Sequence, residues 1–261
     1  MSATSPLFLS IIVPAYNEAA TIVNTLTRIR AFLEMRSIQY ELIVSADGED
    51  DTRKLAAGYA SGDSRFKVIG SPHRRGKGRG VREGISLAAG NIVGFIDADY
   101  KTPIDEIDKL LPWFNRGFDV VIGSRKVADA EIQIRQPIYR RLGSRAFSLV
   151  MSNLVGLRGI RDTQCGFKFF THAAAKRLFS LQRIDGYMFD VEILRLAMLL
   201  EMKVKEVGVR WWDDGDSRYH PITGTWRNAR ELLRIRRMRY DLSDAQGPRT
   251  EDDSQYSSLA A

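Results

Sequence analysis

The sequence predicts an α/β fold, with a mostly parallel central sheet covered by helices on both faces. Three observations carry that prediction. Short apolar runs alternate with segments whose apolar residues recur at helical spacing, as in Ile22, Leu26, Ile29 and Leu33. Strands that alternate with helices are joined by right-handed crossovers, which makes them parallel. Each run is also followed by carboxylates, glycines or cations rather than by plain turn residues, and in open parallel sheets ligands bind at those strand ends.

In chain order, the strand candidates of the first half are 9–13, 41–45, 66–69, 92–96 and 119–122. The helices between them are expected at 20–34, 51–60, 80–89 and 103–115. After Ser124 the rhythm breaks. A basic amphipathic segment covers 137–157, and "TQCGFKFF" reads as a short strand. Helices follow at 173–179 and 191–200, a strand at 204–209, and a last helix at 225–240. No Pro-, Gly- or Ser-rich linker divides the chain and no internal repeat occurs, so residues 1–242 read as one domain. Residues 243–261 are polar and aperiodic and read as a disordered tail.

A chain of 261 residues with 44% hydrophobic and 27% charged residues is long enough for a sizeable core and ordinary in composition. The single cysteine, Cys165, excludes an internal disulfide framework and fits a reducing, cytoplasmic setting. The N-terminal stretch lacks a basic n-region, and no uncharged apolar run approaches the ~20 residues that span a bilayer. The net charge of +7 is concentrated in two arginine clusters, Arg135, Arg140, Arg141, Arg145 and Arg227, Arg230, Arg234, Arg236, Arg237, Arg239. Such clusters suit phosphates of nucleotides, nucleic acid or lipid headgroups, and the competing reading is a set of solvated helix faces. No nucleic-acid-binding motif supports a nucleic-acid partner.

The five strand ends read "PAYNE" (14–18), "ADGEDD" (46–51), "SPHRRGKGRG" (71–80), "DADYK" (97–101) and "GSRK" (123–126). Asp97 and Asp99 follow a buried strand, where a tight turn aims both carboxylates into one crevice. A hard divalent cation such as Mg²⁺ takes such oxygen ligands together with substrate phosphates. Without a cation, two close carboxylates repel and one pKa rises. The competing reading is a pair of turn or capping acids ahead of Pro103. In "RRGKGRG" the glycines allow close backbone approach to a phosphate, with Arg75 and Lys77 supplying charge at a helix start. The stretch has neither Walker nor Rossmann spacing, and its competing reading is a flexible basic turn. Arg125, just past a strand, can grip a diphosphate with two N–H groups. His73, His172 and His220 lack metal-ligand spacing, and Cys165 lacks a His partner, so it reads as a packed thiol. Ser144 and Ser217 lack the elbow of a serine hydrolase, which argues against covalent catalysis by serine or cysteine.

"SIIVPAYNEAATI", "ELIVSADGEDDT", "RRGKGRGVREG", "GFIDADY" and "VIGSR" resemble, in order and spacing, the motifs of glycosyltransferase family 2. "GIRDTQCGFKFFTHAAAKRLF", "FDVEIL" and "VRWWDDGDSR" further resemble dolichyl-phosphate β-glucosyltransferases, with the mannosyltransferases nearby. The resemblance spans about Ser10 to Tyr240. It implies the GT-A fold, a Rossmann-like mostly parallel sheet, and a metal-dependent, inverting hexosyltransferase. The implied donor is a nucleotide-diphosphate sugar, UDP-glucose or GDP-mannose, and the implied acceptor a polyprenyl phosphate. The family's alternative is a saccharide or other hydroxyl acceptor, and a sugar nucleotidyltransferase is a more distant one.

Carried onto this sequence, the resemblance implies that Pro14, Ala15, Tyr16 and Glu18 border the nucleotide, with Asp47 at the base. It implies that Asp97 and Asp99, with Ala98 between them, hold Mg²⁺ or Mn²⁺, and that Lys77 and Arg125 neutralise the diphosphate. Arg140 and Ser144 would face the acceptor phosphate, and Ser217 and Arg218 would lie on a loop over the donor. Were the acceptor a hydroxyl, Asp190 or Glu192 would be the base, unless they serve as cap and first-turn acids of the next helix. Three departures stand out. The usual base-side "VDDGS" reads "SADGE" at 45–49, Lys101 replaces a neutral residue after the acids, and Gly186-Tyr187-Met188 replaces a bulkier aromatic run. The segment 138–160, which interleaves arginines with a long apolar face, reads as an interfacial helix or as a core helix with a basic outer face. With the arginine-rich last helix it implies a peripheral enzyme on the cytoplasmic membrane face.

Overall fold

The computed structural model describes residues 8–132, 155–157, 159–212 and 221–242, without the side chains of 221–227. Seven strands form one sheet in the order β3-β2-β1-β4-β7-β5-β8. They are β1 (Phe8–Tyr16), β2 (Gln39–Asp47), β3 (Phe66–Ile69), β4 (Ile92–Ile96), β5 (Val120–Ser124), β7 (Phe167–Thr171) and β8 (Val204–Gly208). All neighbours pair in parallel except β7, which runs antiparallel between β4 and β5. The helices are α1 (Ile22–Met35), α2 (Thr52–Ala60), α3 (Lys77–Leu87), α4 (Ile107–Phe114), α5 (His172–Leu181), α6 (Phe189–Leu199) and α7 (Pro221–Arg237). A second sheet, absent from the sequence expectation, pairs β6 (Glu131–Ile132) with β9 (Arg210–Trp211) in parallel.

The central strands are mostly apolar because both faces are covered, with Ser10, Glu41 and Lys168 among the buried polar exceptions. Ile12, Val93, Phe95 and Phe170 join Phe189, Leu232 and Ile235 in one core. Ile11, Val13, Phe167 and Phe169 join Leu26, Ile29, Leu33 and Ile107 in the other. Each buried Ile, Leu or Phe contributes roughly 1.5–3 kcal/mol of apolar transfer, so the two layers fix the strand register, since a one-residue slip would exchange the faces.

Every predicted element among the described residues is present, with shifted ends. Two shifts matter for the site. β1 continues three residues past Val13, so Pro14, Ala15 and Tyr16 lie in the strand, opposite Ser45, Ala46 and Asp47 of β2. Pairing with β4 stops at Ile12, so Pro14 sits where β1 no longer needs an N–H on that side. Helix α3 starts at Lys77, three residues early, because Gly76 caps it with φ of 110°. A Cβ on Gly76 would lie 2.2 Å from the Asp185 carbonyl oxygen, so only glycine fits. The predicted helix 103–115 becomes a 3₁₀ turn at Ile104–Glu106 followed by α4.

Helix α7 is two-faced. Asn228, Leu232 and Ile235 are buried, whereas Arg230, Arg234 and Arg237 point outward. No helix among the described residues is long and apolar enough to cross a membrane. The basic amphipathic segment 137–157 lies almost wholly outside the described residues, as do the tail 243–261 and His220.

Candidate active site

The carboxyl ends of β1, β2 and β4 converge, and the chain turns sharply after β4. Asp97 N donates to the Gly166 carbonyl at 3.1 Å, and Tyr100 N closes a turn on the Asp97 carbonyl. Tyr100 adopts φ of 55°, which reverses the chain directly after Asp99. The Gly166 backbone lies against the Asp97 carboxyl so closely that a Cβ there would approach Asp97 Oδ2 to 1.9 Å. The loop before β7 is therefore shaped around this carboxylate.

Each acid faces an ammonium. Lys77 Nζ lies 2.6 Å from Asp97 Oδ1, and Lys101 Nζ lies 3.7 Å from Asp99 Oδ2. Burial opposes the charge on Lys77, but the carboxylates of Asp97 and Asp190 outweigh it and hold its pKa above the ordinary lysine value. The Asp99 side chain keeps 37% of its surface open. Partial burial, reinforced by the charge of Asp97, still pushes its carboxyl up to about 6. Two neighbouring carboxylates lined with cations form a place where a hard divalent ion could be held, provided that a diphosphate supplies the remaining oxygens. Beside Asp99 a hollow of about 400 Å³ is lined by Thr21, Asn24, Arg28, Tyr100, Lys101 and Trp212, among others.

On the nucleotide side, Asp47 is 6% exposed and accepts from Ser71 N at 3.1 Å and Arg75 N at 2.8 Å. Its carboxylate thus pins the glycine-rich loop at the end of β2. Tyr16 remains 38% exposed, with the Arg74 guanidinium over its ring at 4.4 Å. Glu18 Oε2 accepts from the Thr21 hydroxyl ahead of α1, and Ala98 is buried within the turn.

Two expectations change. The two-pronged grip of Arg125 falls on Asp162, through Nε at 2.7 Å and a terminal nitrogen at 2.8 Å, and not on the site's mouth. Trp211 stacks on the same guanidinium at 5.3 Å. Burial would raise the pKa of Asp162, but the Arg125 charge wins and holds it well below the carboxylate range. Glu206 in turn accepts from Arg161 N and Asp162 N at 2.8 Å each, so the pair locks the 160–165 loop onto β5 and β8. Arg125 therefore builds the wall of the site.

The second change concerns the candidate bases. Asp190 and Glu192 do lie in the first turn of α6, but both are buried and both are committed. Glu192 accepts from Arg183 N at 2.9 Å, Ile184 N at 2.7 Å and the Tyr240 hydroxyl at 2.8 Å. It anchors a loop, which removes it as a base. Asp190 accepts from Lys168 Nζ at 2.7 Å, and Lys168 is itself fully buried. Burial raises the pKa of Asp190 despite the Lys168 and Lys77 charges. Lys168, Asp162 and Glu206 were not singled out from the sequence. A lysine inside the apolar run "FKFF" is the signal that could have found the first, since lysine is almost never fully buried without a partner. Arg140, Ser144, Ser217 and Arg218 lie outside the described residues. Cys165 is a buried thiol whose pKa burial pushes up to about 11, as a packed residue requires.

Residues 10–179 match the model of glycosyl transferase family 2. The chain is 36% identical over 245 residues to a dolichyl-phosphate β-glucosyltransferase of Drosophila melanogaster, covering 88% of this chain and 74% of that protein. Similar enzymes from Trichomonas vaginalis and Homo sapiens share 35% and 34% identity, over 88% and 89% of this chain and 71% and 75% of theirs. Among solved structures, the fold resembles glucosyl-3-phosphoglycerate synthase of Mycobacterium tuberculosis, solved with Mn²⁺, UDP and phosphoglyceric acid. That match has a TM-score of 0.66 at 20% identity and covers 94% of this chain and 80% of that one. Mannosyl-3-phosphoglycerate synthase of Rubrobacter xylanophilus aligns with a TM-score of 0.63 at 19% identity, over 88% and 73% of the two chains. With the strand-end acids in place on a GT-A sheet, the chain belongs to glycosyl transferase family 2 and is a glycosyltransferase whose relatives include the dolichyl-phosphate β-glucosyltransferases.

Proposed function

We propose that this chain transfers glucose from UDP-glucose to a polyprenyl phosphate of the dolichyl type, inverting the anomeric carbon. The carrying observation is the Asp97–Asp99 pair beside Lys77, in a chain whose relatives are named for that transfer. Asp97 and Asp99 are the residues that would hold Mg²⁺ or Mn²⁺, which when bound supplies Lewis-acid stabilisation of the leaving diphosphate. Lys77 adds an ammonium at the same place. Pro14, Ala15 and Tyr16 border the nucleotide at the end of β1. Arg140 and Ser144 are assigned to the acceptor phosphate, and Ser217 and Arg218 to the loop over the donor.

The acceptor phosphate oxygen attacks the anomeric carbon as the bond to the diphosphate breaks and UDP departs. A lipid phosphate is already anionic near neutral pH, so no group need remove a proton, and placing the two reactants carries the rate. The commitment of Asp190 to Lys168, and of Glu192 to backbone N–H groups, favours this acceptor over a hydroxyl. Peripheral contact with the cytoplasmic membrane face belongs to the same reading. Its support is the outward face of α7, where Arg230, Arg234 and Arg237 surround Leu233 and Met238 over a shallow hollow of about 470 Å³.

A donor screen with Mg²⁺ and Mn²⁺ against a short polyprenyl phosphate tests the proposal. UDP-glucose should yield a glucosyl-phosphate lipid, and preference for GDP-mannose would overturn the donor assignment. Transfer to sugar hydroxyls alone, or pyrophosphate release from a nucleoside triphosphate, would overturn the reaction.

A further inference from the structure

Lys168 is the second residue of β7, opposite Phe95 of β4, and no part of its side chain reaches solvent. Its ammonium donates to Asp190 Oδ1 at 2.7 Å and to the Cys165 carbonyl at 2.6 Å. A buried ammonium calls for an acidic partner, and Lys168 and Asp190 form that ion pair in the sheet interior. The pair is not isolated. Lys168 Nζ and Lys77 Nζ lie 5.5 and 5.7 Å from the centre of the same Phe95 ring, and Asp190 feels both charges. Lys77 also lies 5.9 Å from the Phe189 ring, next in sequence to Asp190, and contacts Asp97 at 2.6 Å. Charges therefore alternate from the sheet interior to the site: Lys168, Asp190, Lys77, Asp97.

Their formal sum is zero, and this balance is what gives Lys168 a role. Deleting its charge leaves Asp190 buried with Lys77 as the nearest cation of the series. Lys77 would then be drawn inward, away from Asp97 and from the place a donor diphosphate occupies. We propose that Lys168 is a positioning residue, which saturates Asp190 so that Lys77 stays directed at Asp97 and the donor diphosphate. The inference rests on the nucleotide-sugar reading above and assigns Asp190 to charge spacing, not to proton removal.

The test compares Lys168→Met, Lys168→Arg, Asp190→Asn and the double variant Lys168→Met/Asp190→Asn with the wild-type chain. Binding of UDP with Mn²⁺ is measured by calorimetry, and folding by thermal melting. Lys168→Met should weaken binding at least tenfold and raise KM for the donor more than it lowers kcat. The double variant, neutral at both positions, should recover most of the affinity because Asp190 no longer attracts Lys77. Lys168→Arg should stay within a few-fold of the wild type. A merely structural lysine would lower the melting temperature without moving affinity, and its double variant would show no recovery. Either result in a folded protein overturns the proposal. If Lys168→Met alone does not fold, a folded double variant that fails to bind UDP overturns it equally. Failure of the wild type itself to bind any nucleoside diphosphate would instead sink the donor reading.

Discussion

Asp99 and Lys101 set the sharpest contrast in the site. In the proposed reading the two carboxylates after β4 hold a divalent cation, and Lys101 Nζ stands 3.7 Å from one of them, where an ion bound by Asp99 would feel its charge. At such a separation near a surface, a unit charge is worth about 1–4 kcal/mol. Lys101→Gln should therefore tighten Mn²⁺ binding to the free protein roughly tenfold, a change of about 1.4 kcal/mol, readable by electron paramagnetic resonance. Asp99→Ala should lose both Mn²⁺ binding and transfer. Wild-type activity in Asp99→Ala would remove the carboxylate pair from the mechanism. The acids, Lys77 and the strand-end placement were legible in the sequence because each is a local pattern of residue type and spacing. The partners of Arg125 and Asp190 were not, because they lie 37 and 22 residues away and no local rule pairs them.

At the scale of elements, the loop before β7 is held by charge as much as by packing. Asp162 has its carboxyl against Arg125 and its N–H on Glu206, so this loop bridges β5 and β8 while shaping the space around Asp97. Its depressed pKa makes that support pH-dependent. A carboxyl with a folded-state pKa below its unfolded value near 4 contributes fully above that value, and the contribution is lost as pH falls toward the folded one. Asp190 and Glu192, with raised values, run in the opposite direction, so only a difference between variants isolates Asp162. Asp162→Asn should cost about 3–5 kcal/mol at pH 7, as for a broken buried pair. The gap from wild type in urea unfolding should narrow at pH 3. A gap that stays constant with pH would assign the loss to packing. The sequence placed the elements flanking this loop within a few residues, since their apolar periodicity is local. It missed the β6–β9 pair, whose two-residue strands carry no periodic signal.

For the whole molecule, the question is how a chain whose described helices do not span a bilayer meets a lipid phosphate. In the proposed reading the outward arginines of α7 make the contact. Arg230, Arg234 and Arg237 share one outward face, and none of them lies within salt-bridge distance of a carboxylate among the described residues. Leu233, 45% exposed, sits among them. Opposite, Leu232 and Ile235 anchor the helix in the same core as Phe95 and Phe189, and Glu231 accepts from Met188 N at 3.2 Å. The basic face is thus carried rigidly on the layer that also supports Lys77. Each arginine near an anionic surface contributes about 1 kcal/mol, screened beyond a Debye length of about 8 Å in physiological salt. The chain should float with phosphatidylserine vesicles at low salt and detach as salt rises. Arg230→Glu/Arg234→Glu/Arg237→Glu should abolish flotation while transfer to a detergent-dispersed short polyprenyl phosphate persists, since none of these residues touches the acids after β4. Retention of flotation by the triple variant would place the membrane contact elsewhere on the molecule. Loss of flotation together with detergent activity would mean that the helix acts on the site instead.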